Sequence, residues 1–244
     1  MYARDKWYIL KASIMSTATV IVDAILFDMD GTLIDSTPGV LQAWHTFCRD
    51  YNLGDSDTVA HATHGRRLYD TLKEYCGIVD EERLMQEVDR FEDEVIEGGP
   101  MALPGAIQLL NELNSKSCNW TIVTSASNKY APPALERSGV PLPSKGIITS
   151  NDVSAGKPHP DPYLSGAQLC SVDPKNCLVV EDAISGLKSG RAAGSRTLAV
   201  CTSTARNVLI ESDAKPDFIV DNLTKVTVQV TEDKRIQVTM HLEG

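Results

Sequence analysis

Short apolar runs that alternate with helical segments constrain the fold of this chain more than any other feature of its sequence. The first run, residues 20–27, is rich in β-branched residues, predicts one strand and ends at Asp28. Five later runs have the same character: residues 120–124, 146–149, 177–181, 196–200 and 217–220. Short, almost continuous apolar strands are typical of a parallel sheet that helices cover on both faces. The alternation therefore predicts an α/β fold with a Rossmann-like, doubly wound and mainly parallel sheet.

Two regions depart from this alternation. Residues 37–100 contain helical segments and no convincing strand, which predicts a helical cap domain inserted into the core. The core domain then consists of residues 19–36 and 101–244, and residues 1–18 are treated as an N-terminal extension because a second methionine near their end offers an alternative start. At the C-terminus, apolar and polar residues alternate on both sides of a charged turn at 232–235, which predicts a β-hairpin that extends the edge of the sheet.

Charge and cysteine usage narrow the class of protein. The chain has 244 residues with 33 acidic side chains against 23 Lys and Arg, a net charge of −10. A nucleic-acid groove normally carries a basic surface, so we expect no nucleic-acid partner. No apolar run reaches the ~18–20 residues that span a bilayer, so we expect no membrane partner. Six scattered cysteines without a C-x-x-C pair indicate reduced thiols in a cytoplasmic protein rather than metal ligands.

Two carboxylates follow the first apolar run. Asp28 and Asp30 stand two residues apart, so in an extended chain they point to the same side, and Gly31 then allows a sharp turn. Ligands of open α/β sheets bind at the carboxyl ends of the strands. One carboxylate of such a pair can act as nucleophile and metal ligand while the other transfers a proton. Taken alone, the Asp-x-Asp triplet is also compatible with a solvated turn.

Three further strand ends carry polar groups. The hydroxyls and backbone N–H groups of residues 124–126 follow the second apolar run and suit an anion. Lys157 stands in a proline-rich loop, which is not a Walker A motif because Pro158 occupies the place of the required Ser or Thr. A second acidic pair, residues 181–182, ends a later run. Carboxylates, hydroxyls and a lysine at neighbouring strand ends predict a site that binds Mg²⁺ and a phosphoryl group together.

The motifs in this order resemble those of the haloacid dehalogenase superfamily. Residues 28–33, Asp-Met-Asp-Gly-Thr-Leu, look like its first signature, and residues 124–125, Lys157 and residues 181–182 match the second, third and fourth. The match covers about residues 20–220 and is similar to the branch in which a helical cap follows the first strand. The acid two residues after the first aspartate argues against dehalogenation, because true dehalogenases of the superfamily lack it.

The resemblance implies a role for each motif residue. Asp28 would be the nucleophile that forms an aspartyl-phosphate, Asp30 would be the acid and base, and Lys157 would neutralise the nucleophile and the phosphate. The groups implied to bind the phosphoryl oxygens, besides this lysine, are Thr124, Ser125 and Ala126. The groups implied to bind Mg²⁺ are Asp28, Asp182 and the backbone carbonyl of Asp30, with Glu181 as a further ligand or as a partner of the ligands.

Within the cap, residues 62–70 are similar to the cap segment of fungal phosphatases that act on glycerol phosphate and 2-deoxyglucose 6-phosphate. In both, a His-Gly pair precedes an arginine and an aromatic-Asp pair. The resemblance implies substrate contacts for four residues: His64, Gly65, Arg66 and Arg67. For His64 a role in stabilising the loop stays open, as does a solvated position for each arginine. The charged segment 80–97 is expected to form a solvated helix face.

These motifs predict a Mg²⁺-dependent phosphatase that hydrolyses the phosphomonoester of a small sugar or polyol phosphate through an aspartyl-phosphate. A sugar phosphomutase of the β-phosphoglucomutase type is the alternative, because that group shares both aspartates and a similar cap. A catalytically silent binding protein would be expected to lose at least one core residue, and all are present: Asp28, Asp30, Lys157 and Asp182. We expect a monomer, since the cap closes within one chain.

Overall fold

The computed structural model describes residues 16–242, which form eleven β-strands and nine α-helices. The strands are β1 (Ser16–Val22), β2 (Ala24–Phe27), β3 (Ile34–Asp35), β4 (Met101–Ala102), β5 (Trp120–Val123), β6 (Ile147–Ile148), β7 (Cys177–Glu181), β8 (Arg196–Val200), β9 (Phe218–Val220), β10 (Val226–Val230) and β11 (Ile236–Leu242). The helices are α1 (Thr37–Tyr51), α2 (Ser56–Thr63), α3 (Leu68–Tyr75), α4 (Glu81–Glu97), α5 (Ala106–Ser115), α6 (Ala131–Ser138), α7 (Asp161–Cys170), α8 (Ile184–Ala192) and α9 (Arg206–Glu211). None of these helices combines the length and the apolar character that a membrane span requires.

Six parallel strands form a central sheet in the order β6-β5-β2-β7-β8-β9. β2 lies between β5 and β7, with Leu26 opposite both Thr121 and Val179. Successive residues of β2 face opposite helical layers, since Phe27 packs in the core cluster that contains residues of α5 and α6, and Leu26 in the cluster that contains residues of α7. Because both faces are covered, the strands are almost continuous apolar runs. The predicted α/β class is confirmed.

The first apolar run forms two strands, and the prediction of one strand over residues 20–27 is wrong. The chain bends at Asp23, so that β1 pairs with β11 in an antiparallel sheet while β2 enters the central sheet. Burial changes at the same point, because β1 is largely exposed on one face whereas all four residues of β2 are buried. The Asp23 backbone N–H donates to the carbonyl of Asn176 at 2.8 Å, and its carboxylate accepts from Arg235 at 2.6 Å, which holds the bend.

The predicted C-terminal hairpin is present as the antiparallel pair β10 and β11. Contrary to the prediction, it does not extend the central sheet, because β11 also pairs with β1 and completes a separate sheet in the order β1-β11-β10. This sheet packs one face, which includes Val228 and Met240, into the core cluster that also contains residues of α5. β1 begins at Ser16, so the end of the expected extension 1–18 belongs to this sheet, and residues 1–15 lie outside the described residues.

Four helices, α1 to α4, lie between β3 and β4, and we call them and their connecting loops the cap. β3 and β4 pair antiparallel, so the two ends of the cap leave the core side by side. The cap has an aromatic centre, in which the ring centroids of Trp44 and Phe91 lie 5.0 Å apart and those of Phe47 and Phe91 lie 5.2 Å apart. The cap therefore has apolar contacts of its own and is placed over the core by the short β3–β4 pair.

Candidate active site

The carboxyl ends of β2, β5 and β7 meet at one edge of the central sheet, and the polar segments singled out in the sequence lie there. Asp28 follows β2 directly, residues 124–126 follow β5, and Glu181 and Asp182 lie at the end of β7. The loop between β6 and α7 brings Lys157 to the same edge. Neighbouring parallel strands place their carboxyl ends side by side, which is why segments far apart in the chain converge here.

Lys157 is the centre of a buried group of charges. Its Nζ lies 2.5 Å from Asp28 Oδ1 and 2.7 Å from Glu181 Oε1, and it donates to the carbonyl of Val123 at 3.1 Å. Burial alone would lower the pKa of Lys157, but the two carboxylates outweigh burial and hold this pKa above its ordinary value. Burial raises the pKa of Asp28, as do Glu181 and Asp182, while Lys157 opposes this rise. The lysine is therefore a permanent cation beside Asp28.

Glu181 accepts four hydrogen bonds. Its Oε1 accepts from Lys157 and from the hydroxyl of Tyr163 at 2.8 Å. Its Oε2 accepts from the backbone N–H groups of Asp182 and Ala183, at 3.1 and 3.0 Å. Both carboxylate oxygens are thus engaged and the side chain is held in one orientation. Tyr163 was not identified from the sequence. It stands in the first turn of the helix that follows the Lys157 loop, and this position is the signal that could have identified it.

Asp182 is fully buried and meets the cap. Its Oδ1 accepts from the hydroxyl of Thr32 at 3.1 Å, and the imidazole Nε2 of His64 lies 3.0 Å from its Oδ2. The second contact does not have the geometry of a hydrogen bond, so Oδ2 is buried without a hydrogen-bond partner. Burial would raise the pKa of Asp182, but the contacts with His64 and nearby hydroxyls lower it. Burial lowers the pKa of His64, whereas Asp182, Glu181 and Asp28 raise it, to about 9 overall.

The acidic group fits a divalent cation. Asp28, Glu181 and Asp182 are buried, and each offers one oxygen within 4.8 Å of the others. The buried Oδ2 of Asp182 lacks a hydrogen bond, and carboxylate oxygens are the ligands that Mg²⁺ prefers. Gly31, as expected, makes the sharp turn beside them with a φ of +85°, and a Cβ at this position would overlap Asp182 Oδ2. The three carboxylates therefore offer the ligand atoms and the negative charge that one metal ion requires.

Asp30 faces the same cleft as Asp28. Its Oδ1 accepts a hydrogen bond from the phenol of Tyr130 at 3.0 Å. Burial raises the pKa of Asp30, and the hydroxyls of Ser36 and Tyr130 oppose this rise. Burial and the charge of Asp30 raise the pKa of Tyr130, so the phenol is neutral and donates. Sequence reasoning missed Tyr130, which lies in the turn between β5 and α6 and belongs to none of the motifs.

A cavity of about 320 Å³ lies between this edge of the sheet and the cap. Its far wall consists of cap side chains that include Trp44, Leu68 and Phe91. The residues singled out in the sequence that line it are Asp28, Asp30, His64, Gly65, Arg66, Thr124, Ser125 and Ala126. Its volume is that of a site for a small molecule.

Residues 64–67, which we call the cap loop, form one of the contacts between the cap and the core. The backbone carbonyls of His64 and Gly65 accept hydrogen bonds from the hydroxyls of Ser185 at 3.2 Å and Ser125 at 3.1 Å. Gly65 has a φ of +71°, and a Cβ on it would lie 2.7 Å from Ser185 Oγ. Glycine is therefore required for both the backbone conformation and the close approach.

The two arginines of the cap loop take different places. Arg66 lines the cavity and pairs with Glu74 at 2.5 Å. Arg67 bonds Asp70 twice, at 2.8 and 2.7 Å, and lines a neighbouring cavity of about 280 Å³. The structure thus brings Arg66 to the cavity that Asp28 lines and places Arg67 beside it.

One acidic residue of α4 does not lie on a solvated face. Glu92 is 4% exposed and accepts hydrogen bonds from the backbone N–H of Ser127, at 2.9 Å, and from its hydroxyl. The expectation of a solvated helix face over 80–97 is wrong at this position. The sequence contains a signal for the burial of Glu92. This residue stands four residues after Val88 and three before Val95, which places it on the apolar side of the helix.

This chain has known relatives in sequence and in fold. Residues 22–194 match the sequence model of the haloacid dehalogenase-like hydrolases. The chain is 39% identical over 205 residues to hexitol phosphatase A of Escherichia coli, covering 83% of this chain and 92% of that protein. It is 34% identical over 218 residues to glycerol-1-phosphate phosphohydrolase 2 of Saccharomyces cerevisiae, covering 85% of each. A solved structure of a hydrolase from Pseudomonas syringae shares the fold with a TM-score of 0.71 and 24% identity, covering 82% of this chain and 93% of that one. The resemblance inferred from the motifs is confirmed.

Proposed function

This chain belongs to the haloacid dehalogenase-like hydrolases and is a phosphoric monoester hydrolase, and we propose that it acts on a small sugar or polyol phosphate through an aspartyl-phosphate on Asp28. One observation carries the proposal. Asp28 lines the cavity beside Asp30 and is paired at 2.5 Å with the buried Lys157. A nucleophile, a proton donor and a fixed cation are the groups that hydrolysis of a phosphate ester needs.

The reaction uses these side chains in two steps. In the first, a carboxylate oxygen of Asp28 attacks phosphorus, the bond from phosphorus to the ester oxygen breaks, and Asp30 gives its proton to that oxygen, so that an alcohol leaves. In the second, Asp30 takes a proton from water, the water oxygen attacks phosphorus, and the bond to Asp28 breaks. Lys157 offsets negative charge throughout, in a reaction whose acceleration requires on the order of 20 kcal/mol from positioning and electrostatics.

We propose that Mg²⁺ binds to Asp28, Asp182 and the backbone carbonyl of Asp30. Bound there, Mg²⁺ would screen the charge between the attacking carboxylate and the phosphate. Glu181 was proposed as a ligand or as a partner of the ligands, and its four hydrogen bonds favour the second role. The buried carboxylates outnumber the basic groups beside them, three against Lys157 and His64, and this excess charge and the Oδ2 of Asp182 support the assignment.

The substrate is proposed from the cavity and from the relatives. The relatives are named as phosphatases of a hexitol phosphate and of glycerol 1-phosphate, and the cavity of about 320 Å³ accommodates molecules of that size. The hydroxyl and the backbone N–H of Ser125 would hold the phosphoryl group together with Lys157. The neighbouring residues Thr124 and Ala126 line the cavity, but their backbone N–H groups donate to the Ile148 carbonyl at 2.9 Å and to the Thr124 hydroxyl at 3.0 Å. His64, Gly65 and Arg66 would contact the rest of the substrate from the cap, with Arg67 at the edge of the site. We propose a monomer, because residues of the core and of the cap of the same chain line this cavity.

Phosphate release tests the proposal. The full chain is incubated with Mg²⁺ and a panel of glycerol 3-phosphate, 2-deoxyglucose 6-phosphate, and pentose, hexose and hexitol phosphates, with Asp28→Asn as the control variant. We expect release from at least one polyol or sugar phosphate, loss of release in EDTA with recovery on adding Mg²⁺, and no turnover by the folded Asp28→Asn protein. Full turnover by Asp28→Asn would contradict the assignment of the nucleophile, and turnover without metal would contradict the role of Asp182.

The same panel separates hydrolysis from the phosphomutase alternative. A hexose 1-phosphate incubated with a mutase yields the 6-phosphate with little free phosphate, whereas a phosphatase releases free phosphate and the sugar. Conversion of the 1-phosphate to the 6-phosphate in preference to phosphate release would overturn the proposed reaction.

A further inference from the structure

We infer that Tyr130 is a positioning residue for proton transfer, holding the carboxyl group of Asp30 so that its second oxygen faces the ester oxygen of the substrate. The inference rests on the proposed function, because that function gives Asp30 its role as acid and base. Tyr130 lies outside every motif that the sequence displays.

The contact between the two side chains is direct and shielded. The phenol of Tyr130 donates to Asp30 Oδ1 at 3.0 Å, and Tyr130 is only 3% exposed. Both residues line the cavity that Asp28 also lines. The phenol occupies Oδ1, and the hydroxyl of Ser36 also acts on this carboxyl group, so the proposed transfer to the substrate uses Oδ2. A carboxyl group held in this way rarely adopts rotamers from which it cannot transfer its proton. Orientation of this kind raises the rate of the chemical step.

Tyr130 is itself held from two sides. Its ring packs in the main core cluster, and its backbone N–H donates to the hydroxyl of Ser127 at 3.2 Å. That hydroxyl also accepts from the backbone N–H of Lys129 at 3.1 Å and donates to Glu92 of the cap. The turn that carries Tyr130 is therefore braced against the cap, and the phenol meets Asp30 without reorganising.

A positioning role and a purely structural role of Tyr130 predict different effects on different substrates. An alkyl phosphate releases a strongly basic alkoxide, which needs the proton of Asp30 as it leaves. p-Nitrophenyl phosphate releases a weakly basic phenolate, which can leave without a proton. If Tyr130 acts by orienting Asp30, removing its hydroxyl slows the first substrate far more than the second. A loss of folding or of cavity shape would slow both.

The experiment compares Tyr130→Phe with the wild-type chain in the presence of Mg²⁺. The parameter kcat/KM is measured for the best polyol or sugar phosphate and for p-nitrophenyl phosphate, because it reports the steps up to transfer of phosphate to Asp28. We expect a fall of about 30-fold for the alkyl ester and of less than about threefold for the aryl ester, part of the whole contribution of general acid catalysis. Tyr51→Phe is the matched control, because it also removes one phenol hydroxyl. The hydroxyl of Tyr51 accepts a hydrogen bond from Arg83 at 3.4 Å, and both residues belong to the cap.

A double-mutant cycle completes the test. In the Asp30→Asn background, Tyr130→Phe should cause no further selective loss, because the group that it positions is gone. Thermal unfolding verifies that the variants fold. If Tyr130→Phe does not fold, Tyr130→Met removes the hydroxyl with an adaptable apolar side chain and must show the same selectivity.

The outcomes distinguish this inference from the proposed function. Unchanged kinetics of Tyr130→Phe, or an equal loss on both substrates, would overturn the positioning role while leaving the phosphatase assignment intact. A selective loss that persists undiminished in the Asp30→Asn background would also overturn it. A wild-type chain that releases phosphate from neither ester would instead defeat the proposed function.

Discussion

The core half of the site and the cap loop are built in different ways. In the core, Asp28, Lys157 and Glu181 are buried and bonded to one another at 2.5 and 2.7 Å. The cap loop meets the core through two backbone carbonyls, those of His64 and Gly65, at 3.2 and 3.1 Å, and through the partly exposed imidazole of His64, 3.0 Å from Asp182. Neutral hydrogen bonds of this kind contribute about 1 kcal/mol each, whereas breaking a buried ion pair costs about 3–5 kcal/mol.

This difference assigns separate tasks to the two regions. Asp28, Lys157 and Glu181 are fixed by one another and by core residues at the ends of neighbouring strands, so their geometry depends little on the cap. The cap loop lines the cavity and is held by contacts that are individually weaker, namely neutral hydrogen bonds and one partly exposed ion pair. Substitutions in the core should therefore affect both stability and turnover, and those in the cap loop chiefly turnover.

The largest effect is expected for Lys157→Met. The substitution leaves Asp28 and Glu181 buried without their cation, so we expect a loss of about 3–5 kcal/mol in the free energy of unfolding and a fall of at least about 1,000-fold in kcat. Urea unfolding and phosphate release measure the two. Lys188→Met is the control, because this lysine is 38% exposed and pairs with Asp213 at the surface. Equally small losses of stability and of kcat in both variants would contradict the proposed difference between the buried charges of the core and an ion pair at the surface.

An intermediate effect is expected for Gly65→Ala. The added Cβ would lie 2.7 Å from Ser185 Oγ, so the cap loop cannot seat, and kcat/KM should fall by about 10–100-fold. Gly77→Ala is the matched control, since this cap glycine has a φ of +63° and no atom within 4 Å of an added Cβ. Both should lose about 1–2 kcal/mol of stability from the left-handed backbone. A similar loss of kcat/KM in both variants would show that backbone strain, and not the contact with the core, explains the result.

The smallest effect is expected for His64→Asn. The quantity measured is the free energy of unfolding in the presence of EDTA. The pKa of His64 is raised from 6.5 to about 9, so protonation favours the folded chain. This contribution is fully present below pH 6.5 and is lost as the pH rises through about 9. We expect the wild-type chain to exceed the variant by about 1 kcal/mol or less at pH 6, with the difference vanishing by about pH 9.5.

Urea unfolding at several pH values checks this prediction. His45→Asn, an exposed position on α1, serves as the control. A difference between wild type and His64→Asn that stays constant from pH 6 to pH 9.5 would mean that the imidazole acts without its charge.

Much of the fold and of the core site could be predicted because the signals are local. Asp28 and the pair Glu181 and Asp182 each end an apolar strand, so their convergence follows from a parallel sheet. The break at Asp23 and the burial of Glu92 were not foreseen. In each case the sequence pattern is compatible with two arrangements, and packing against a distant segment selects one of them.

The sequence by itself determined the family, the doubly wound sheet, the helical insert and the side chains at the strand ends, because strand and helix periodicity and motif spacing are properties of short segments. Only the tertiary structure decided which cap and turn residues meet them. Ser125 and Gly65 are 60 residues apart and Tyr130 and Asp30 are 100 apart. In the first contact the acceptor is a backbone carbonyl, which every residue possesses. In the second the donor is a tyrosine, a residue that is equally suited to a core position without any role in the site. Contacts of this kind leave no pattern in a single sequence, and they arise only when the folded chain brings distant segments together.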